Sequence, residues 1–328
     1  MGGRAPDPDP IPAMEAFHHL VTLTAPLFAL VAIGYALASW GGWTPAAADA
    51  LTRFVFTVAI PVLLFRLMSG FVAMPAVDPQ VLVAYFGGCL VVFAIGRVIA
   101  RFAFRLDGAG QSLFGLGGIF SNNVLLGIPL AKLTLGETAI PPFSLVLMFN
   151  ALLLWTLCTV SVEWARHGAL SLAGFGTTLR EVITNPIVAA ILVGTGWGYT
   201  GWTLPAVVDG TVALISQAAV PLSLIALGMG LAEYGVRGGW RESVAIAGIK
   251  LVLLPTTVYV LARLLRLPER ELHAIVLMAG LPVGANVYLM SRQFETLGGP
   301  IAASLVLSTA LAAVTTPLLL AIIGAGTR

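Results

Sequence analysis

The stretch GGIFSNNVLLGIP (residues 117–129) lies inside an apolar run, yet it places two adjacent asparagines between helix-weakening glycines and a proline. A second stretch, GLPVGANVY (residues 280–288), has a similar composition later in the chain. Glycine and proline both weaken a helix interior, and an asparagine amide is costly in hydrocarbon unless it has a partner. Both stretches therefore predict broken membrane helices with polar groups at mid-membrane.

The composition of the whole chain is that of a membrane protein. Hydrophobic residues make up 58% of the 328 residues, charged residues only 10%, and the mean hydropathy is +0.96. A soluble domain carries roughly 25% charged residues, because its surface faces water. The lipid bilayer is therefore the expected surrounding. A net charge of +2 without a Lys/Arg run argues against nucleic acid as a partner.

Ten continuous apolar runs are long enough to cross the hydrocarbon core as helices, which takes about 20 residues each. Glycine, proline and aspartate turn signals separate the runs. The runs cover residues 20–39, 46–69, 79–101, 112–132, 141–163, 182–199, 207–231, 242–265, 270–291 and 300–323. We predict an all-α polytopic membrane protein with ten transmembrane helices.

Two pairs of runs resemble each other, which indicates an internal repeat. In the second and seventh runs, AIPVLL (59–64) corresponds to AVPLSL (219–224), and we expect Pro61 and Pro221 to kink their helices. In the fourth and ninth runs, FSNNV can be set against GANVY with Asn123 aligned to Asn286, so that the two pairs lie 160 and 163 residues apart. Five spans separate the members of a pair, so the repeats are predicted to be inverted, as in many secondary transporters. Chance similarity between apolar segments is the alternative.

The predicted organisation has five parts. A tail rich in proline and aspartate (1–19) is expected to be disordered. The first five-helix repeat (20–163), a short cytoplasmic loop (164–181), the second, inverted repeat (182–323) and a C-terminal tail (324–328) follow.

The distribution of positive charge predicts the orientation. Of the seventeen Lys and Arg residues, seven fall on the side of the termini, nine on the other side, and Lys250 lies inside the eighth run. Cytoplasmic loops carry the excess of positive charge. We therefore predict both termini outside. We expect the membrane to be a bacterial inner membrane.

Lys250 lies about eight residues inside its run, roughly 12 Å deep at 1.5 Å per residue. It could extend to the cytoplasmic interface, or it could face a water-filled cavity and attract a substrate anion. All fifteen Asp and Glu residues map to the N-terminal tail, loops or run ends. A carboxylate proton relay is therefore not expected, and the substrate is expected to be anionic or neutral.

Asparagines in the two broken runs are the leading candidates for a substrate site, because a broken helix exposes backbone groups and its N-terminal end can hold an anion. The alternative is that these amides join helices together. Asn150 and Asn185 are secondary candidates. The sequence contains no phosphate loop, zinc-ligand spacing or nucleophile elbow, and Cys89 and Cys158 fall inside apolar runs. We expect neither an enzyme nor a cofactor or metal site.

In the order of its motifs, the chain resembles the auxin efflux carrier family, which includes bacterial malonate and malate permease-like members and the plant auxin carriers. The resemblance covers residues 20 to 323. It rests on the motifs at 25–35, 54–61, 121–129, 185–186, 219–222 and 281–288.

The resemblance implies ten spans in two inverted repeats, with broken helices four and nine crossing near the membrane centre. Helices one, two, six and seven would form a scaffold, and the others a unit that moves in an elevator-like exchange of access. The resemblance also implies a small organic anion as substrate. The candidate substrate-binding residues are Ser121, Asn122, Asn123, Pro129, Lys250, Pro282, Gly284, Asn286 and Tyr288.

The leading hypothesis is a secondary carrier of small carboxylates, such as malonate, malate or auxin-like acids. An anion channel and a non-transporting membrane sensor are the alternatives. The identity of the carboxylate, the direction of transport, the coupling ion and a homodimeric state stay open at this point.

Overall fold

The computed structural model describes residues 13–70, 76–167, 186–234 and 239–324, and this part of the chain is helical without a named strand. Its helices are α1 (Ala13–Ser39), α2 (Pro45–Ser69), α3 (Gln80–Ala103), α4a (Gly108–Ile119), α4b (Asn123–Thr134), α5 (Ile140–His167), α6 (Pro186–Thr200), α7 (Ala206–Tyr234), α8 (Trp240–Leu264), α9a (Glu269–Gly280), α9b (Ala285–Gln293) and α10 (Gly298–Ile322).

Seven of these helices are long and apolar enough to cross a bilayer, namely α1, α2, α3, α5, α7, α8 and α10. The fourth and ninth predicted runs are each divided in two, and α6 has 15 residues within the described part of the chain. The protein is therefore an all-helical, multi-pass membrane protein, as predicted.

Some predicted boundaries differ from those of the helices, and others cannot be compared. Helix α1 begins at Ala13, inside the segment predicted as a tail, and α5 continues to His167, inside the segment predicted as a loop. The predicted tail before Ala13, the loop from residue 168 onward, the candidate Asn185 and the C-terminal residues 325–328 lie outside the described residues.

The helices pack in two groups. In the first group, α1 lies along α7, and α2 lies against both α6 and α7. In the second group, α3 packs on α4a and α8, α4a packs on α5, and α8 packs on α9a and α10. Helix α1 also contacts α4b and α10, so it connects the two groups.

Glycines allow the helices of the first group to approach each other closely. A Cβ atom on Gly34 of α1 would lie 2.2 Å from the backbone oxygen of Ile225 in α7. A Cβ atom on Gly194 of α6 would lie 2.7 Å from the backbone oxygen of Phe65 in α2. Small residues at such contacts are typical of membrane helices, where packing takes the place of the hydrophobic effect.

Three helices contain one wide turn, and each wide turn precedes a proline. The residue before the proline donates its N–H five residues back: Ile60 to Val55, Ile128 to Asn123, and Leu254 to Ile249. Proline cannot donate, and its ring displaces the carbonyl four residues earlier, so a wide turn relieves the clash. Pro61 follows one of these turns, whereas Pro221 lies inside α7 without a named wide turn.

The close contact between α6 and α2 predicts a position-specific loss of stability. We expect Gly194→Ala to lower the melting temperature of the purified protein by about 3 °C or more, because overpacking a tight contact costs roughly 1–3 kcal/mol. Gly196→Ala, two residues along the same helix, is the matched control, since a Cβ atom there meets nothing within 4 Å. Equal melting temperatures of the two variants would contradict this packing.

Candidate functional site

The two broken helices cross through their non-helical segments. Ser121 and Val283 form an isolated antiparallel bridge. The N–H of Asn122 donates to the carbonyl oxygen of Pro282, and the N–H of Gly284 donates to the carbonyl oxygen of Phe120, both at 2.9 Å. These segments, named the crossover here (residues 120–122 and 281–284), thus satisfy each other's backbone groups.

Neighbouring helices hold the crossover in place. The N–H of Val283 donates to the hydroxyl oxygen of Ser308 in α10 at 3.0 Å. The Tyr85 hydroxyl of α3 lies 3.4 Å from that of Ser121. A Cβ atom on Gly284 would lie 2.8 Å from the backbone oxygen of Ser121. Glycine at this position is therefore required by the close approach of the two segments.

Both half-helices that follow the crossover begin at a cavity. Asn122 is the N-cap of α4b and Gly284 that of α9b, and no side-chain hydrogen bond caps either start. The first N–H groups of a helix lack intrahelical partners and carry partial positive charge. Two helix N-termini thus supply backbone donors at the same place.

The cavity at the crossover has a volume of about 230 Å³. Its lining residues come from α2, α5, α6, the crossover and the two half-helices that follow it: Phe56, Phe120, Ser121, Asn122, Asn123, Val124, Leu125, Leu147, Asn150, Ile187, Val188, Gly284, Ala285 and Asn286. The cavity therefore lies between the two groups of helices. Its lining combines side-chain amides with apolar side chains.

Three of the lining asparagines are buried without full hydrogen bonding. Asn122, Asn123 and Asn150 are 5%, 3% and 3% exposed, and each has at least one side-chain amide atom without a hydrogen-bond partner. For Asn123 both the nitrogen and the oxygen lack one. An unsatisfied buried amide is costly and uncommon in a folded protein. Such a group is available to bind a ligand that enters the cavity.

The structure brings five of the predicted site residues together as cavity lining: Ser121, Asn122, Asn123, Gly284 and Asn286. The other four are placed differently. Pro282 contributes a crossover carbonyl, Pro129 lies inside α4b, and Tyr288 lies half-buried in α9b. Lys250 is fully buried and donates to the carbonyl oxygen of Ala279 at 2.5 Å. None of these four belongs to the described lining.

The bridge between Ser121 and Val283 pairs residues that are 162 positions apart. The sequence similarity of the two broken runs predicts a repeat offset of 163 residues, so the contact between the runs lies close to their predicted correspondence.

Several residues that line the cavity were missed or ranked low from the sequence. Asn150 was a secondary candidate, yet it lines the cavity beside the leading asparagines. The apolar lining residues Phe56, Leu147 and Ile187 have no sequence signal, because they resemble every other membrane-facing side chain. Among the described residues, no three His, Cys, Asp or Glu side chains cluster as a metal site requires.

Multi-pass helices and an amide-lined cavity between two helix groups are typical of a membrane transport protein. A profile of the family described as "Membrane transport protein" matches residues 19–320. The chain belongs to this family, which is the auxin efflux carrier family that the sequence motifs resemble. This is a family of transporters, not of enzymes.

Named relatives align with this chain over most of its length. A proposed malonate transporter of Rhizobium meliloti is 26% identical over 93% of this chain and 96% of its own length. The auxin efflux carrier component 8 of Arabidopsis thaliana is 22% identical over 85% of this chain and 90% of its own length. An uncharacterised transporter of Methanocaldococcus jannaschii is 22% identical over 85% and 91%, respectively.

The unpartnered amide of Asn123 predicts an unusual effect on stability. We expect Asn123→Leu, which has similar volume, to leave the melting temperature unchanged or raise it, because an unsatisfied buried polar group costs about 1–3 kcal/mol. An amide that joins helices would instead lower the melting temperature when removed. Thermal unfolding of the purified protein in detergent distinguishes the two roles.

The control for this variant is Ser308→Ala, which removes the acceptor of the Val283 N–H. Its loss leaves a buried donor unpaired, at a cost of about 1–3 kcal/mol. A melting temperature that falls for Asn123→Leu as much as for Ser308→Ala would favour the helix-joining role.

Proposed function

We propose that the protein is a secondary carrier of small carboxylates, which bind in the crossover cavity. The observation that carries this proposal is the convergence of unsatisfied asparagine amides and two helix N-termini on one cavity. A carboxylate accepts hydrogen bonds on both oxygens. It can therefore accept hydrogen bonds from the side-chain amides of Asn122 and Asn123 and from the first backbone N–H groups of the half-helices.

The chemistry of the lining favours an anion held by neutral donors. No charged side chain belongs to the described lining. A carboxylate bound by amides and helix N-termini is stabilised without a salt bridge. A site of this kind releases its ligand more readily than a site that holds the ligand in a buried ion pair. This suits a carrier, which must release its substrate on every cycle.

The size of the cavity favours a small ligand. Sites for drug-sized ligands have volumes of roughly 300–1,000 Å³, and the crossover cavity has about 230 Å³. Short-chain mono- and dicarboxylates of the malonate class fit this volume best. The apolar wall formed by Phe56, Leu147, Ile187 and Val188 accommodates a carbon chain.

We further propose ten spans in two inverted five-helix repeats. Two glycine contacts support this: Gly34 approaches Ile225, and Gly194 approaches Phe65. The two glycines are 160 residues apart in the chain, and so are Phe65 and Ile225. The reciprocal backbone bonds of the crossover are related in the same way. A pseudo-two-fold axis would produce both pairs of contacts.

The position of the cavity supports an elevator-like exchange of access. One wall comes from α2 and α6, in the first helix group, and the other from α5, in the second group, together with α9b, which packs on that group, and α4b, which contacts both groups. If the second group slides against the first, the same site opens to either side in turn. Binding between two bodies is a common arrangement in secondary transporters.

The transport prediction is direct. Proteoliposomes containing the protein should take up labelled malonate with saturation and counterflow, in a panel of mono- and dicarboxylates with indole acids. We expect Asn123→Ala and Asn286→Ala to lower uptake about tenfold or more, because each loses a hydrogen bond to a charged ligand.

Thr256→Ala is the control, because the exposed Thr256 hydroxyl donates to the carbonyl oxygen of Val252 in its own helix. It should keep full uptake. Unitary current steps would contradict a carrier and favour a channel. Absence of uptake by wild-type proteoliposomes would favour a non-transporting sensor, and uptake unaffected by both asparagine variants would contradict a substrate site at the crossover.

We propose that the protein resides in a bacterial inner membrane. We also propose that both termini lie outside, on the basis of the Lys and Arg distribution. A homodimer is a further proposal.

This orientation can be measured with single cysteines. Cys89 and Cys158 are buried, so a membrane-impermeant maleimide should react only with introduced residues. We expect Glu137→Cys, between α4b and α5, to be labelled from outside intact cells. Trp40→Cys, between α1 and α2, should be labelled only after the membrane is opened. The reverse pattern would contradict the proposed orientation.

A further inference from the structure

Lys250 is a buried cation with an unusual partner. It has no exposed surface and lies in the wide turn Ile249–Leu253 of α8. Its Nζ donates to the carbonyl oxygen of Ala279 at 2.5 Å. Ala279 belongs to the last turn of α9a, which ends at Gly280. The ammonium group is thus bound to the end of a broken membrane helix.

The C-terminal end of α9a is a negative site. The last carbonyl groups of a helix have no intrahelical partners, and together they carry partial negative charge. Helix α9a stops within the protein, because the chain runs extended through Leu281 and Pro282 into the crossover. In secondary transporters, such half-helix ends coordinate the coupling cation.

Other charges do not account for the position of Lys250. Within the described residues, no carboxylate pairs with it. The acidic residues of α9a, Glu269 and Glu271, lie in its first turn, at the opposite end from Ala279. Glu271 pairs with Arg270. The titratable group near Lys250 is the Cys89 thiol of α3, so the helix end is its principal negative partner.

We propose that the Lys250 ammonium group is a built-in cation, which occupies the negative end of α9a in place of a coupling metal ion. This inference rests on the proposed function as an anion carrier. The negative end of α9a and the positive end of α9b meet at the crossover. An anion at α9b would be repelled by the carbonyl groups of α9a unless a cation neutralised them. Lys250 is therefore a positioning residue, and transport requires neither Na⁺ nor K⁺.

The first test is labelled malonate uptake in proteoliposomes containing Na⁺, K⁺ or choline. Wild-type rates should agree within twofold in all three salts. Lys250→Met should lower uptake at least tenfold in all three. Its melting temperature should be unchanged or higher, since an apolar side chain of similar volume often replaces a buried charge without loss of stability. Lys132→Met is the control, because the side chain of this other lysine is 34% exposed and lies at a helix end.

The second test is chemical rescue. Lys250→Ala lacks the atoms of n-propylammonium, so this cation should restore uptake at least threefold, whereas n-propanol of the same size should not. The melting temperature of Lys250→Ala should also rise with n-propylammonium and not with n-propanol, while that of the wild type should not change. This thermal measurement does not depend on transport, so it tests the role of Lys250 even if no carboxylate is moved.

Three results would overturn the proposal: wild-type uptake that requires Na⁺ or K⁺, full uptake by Lys250→Met in choline, or an absence of both kinds of rescue by n-propylammonium.

Discussion

A backbone that leaves helical geometry inside a bilayer must find all its hydrogen bonds within the protein, and the remaining structure depends on how the crossover meets this constraint. Two extended segments satisfy each other through reciprocal bonds between Asn122 and Pro282 and between Gly284 and Phe120. Ser308 accepts the N–H of Val283, the central residue of the second segment. The surrounding helices supply these partners, so the second helix group has to pack closely around the crossover.

The same constraint produces the site. Breaking two helices brings their following halves to one cavity with uncapped N-termini, and this creates positive potential where hydrocarbon would otherwise exclude charge. The crossover leaves the amides of Asn122, Asn123 and Asn150 without full hydrogen bonding. Stability is thereby reduced at the place where a ligand can restore it. The negative end of α9a is the electrostatic counterpart of this arrangement, and Lys250 binds there.

The sequence predicted the class and the location of the breaks, because composition and glycine, proline and asparagine content are local properties. The stretches 117–129 and 280–288 coincide with the crossover and the starts of α4b and α9b. The pairing of Ser121 with Val283 was not predicted, since it is a contact between distant segments. Lys250 was expected either at the interface or in a cavity. Its partner, the carbonyl oxygen of Ala279, likewise depends on where α9a ends. The apolar cavity wall could not be predicted from the sequence, because lipid-facing and cavity-facing apolar residues look alike there.

The most direct test of the account is a crystal structure of the protein with bromomalonate, in which anomalous scattering locates the bromine atom. We expect a single strong anomalous peak in the crossover cavity, with carboxylate oxygens within hydrogen-bonding distance of the Asn122 and Asn123 amides and of the first N–H groups of α9b. An empty crossover cavity with the anion bound elsewhere would contradict it.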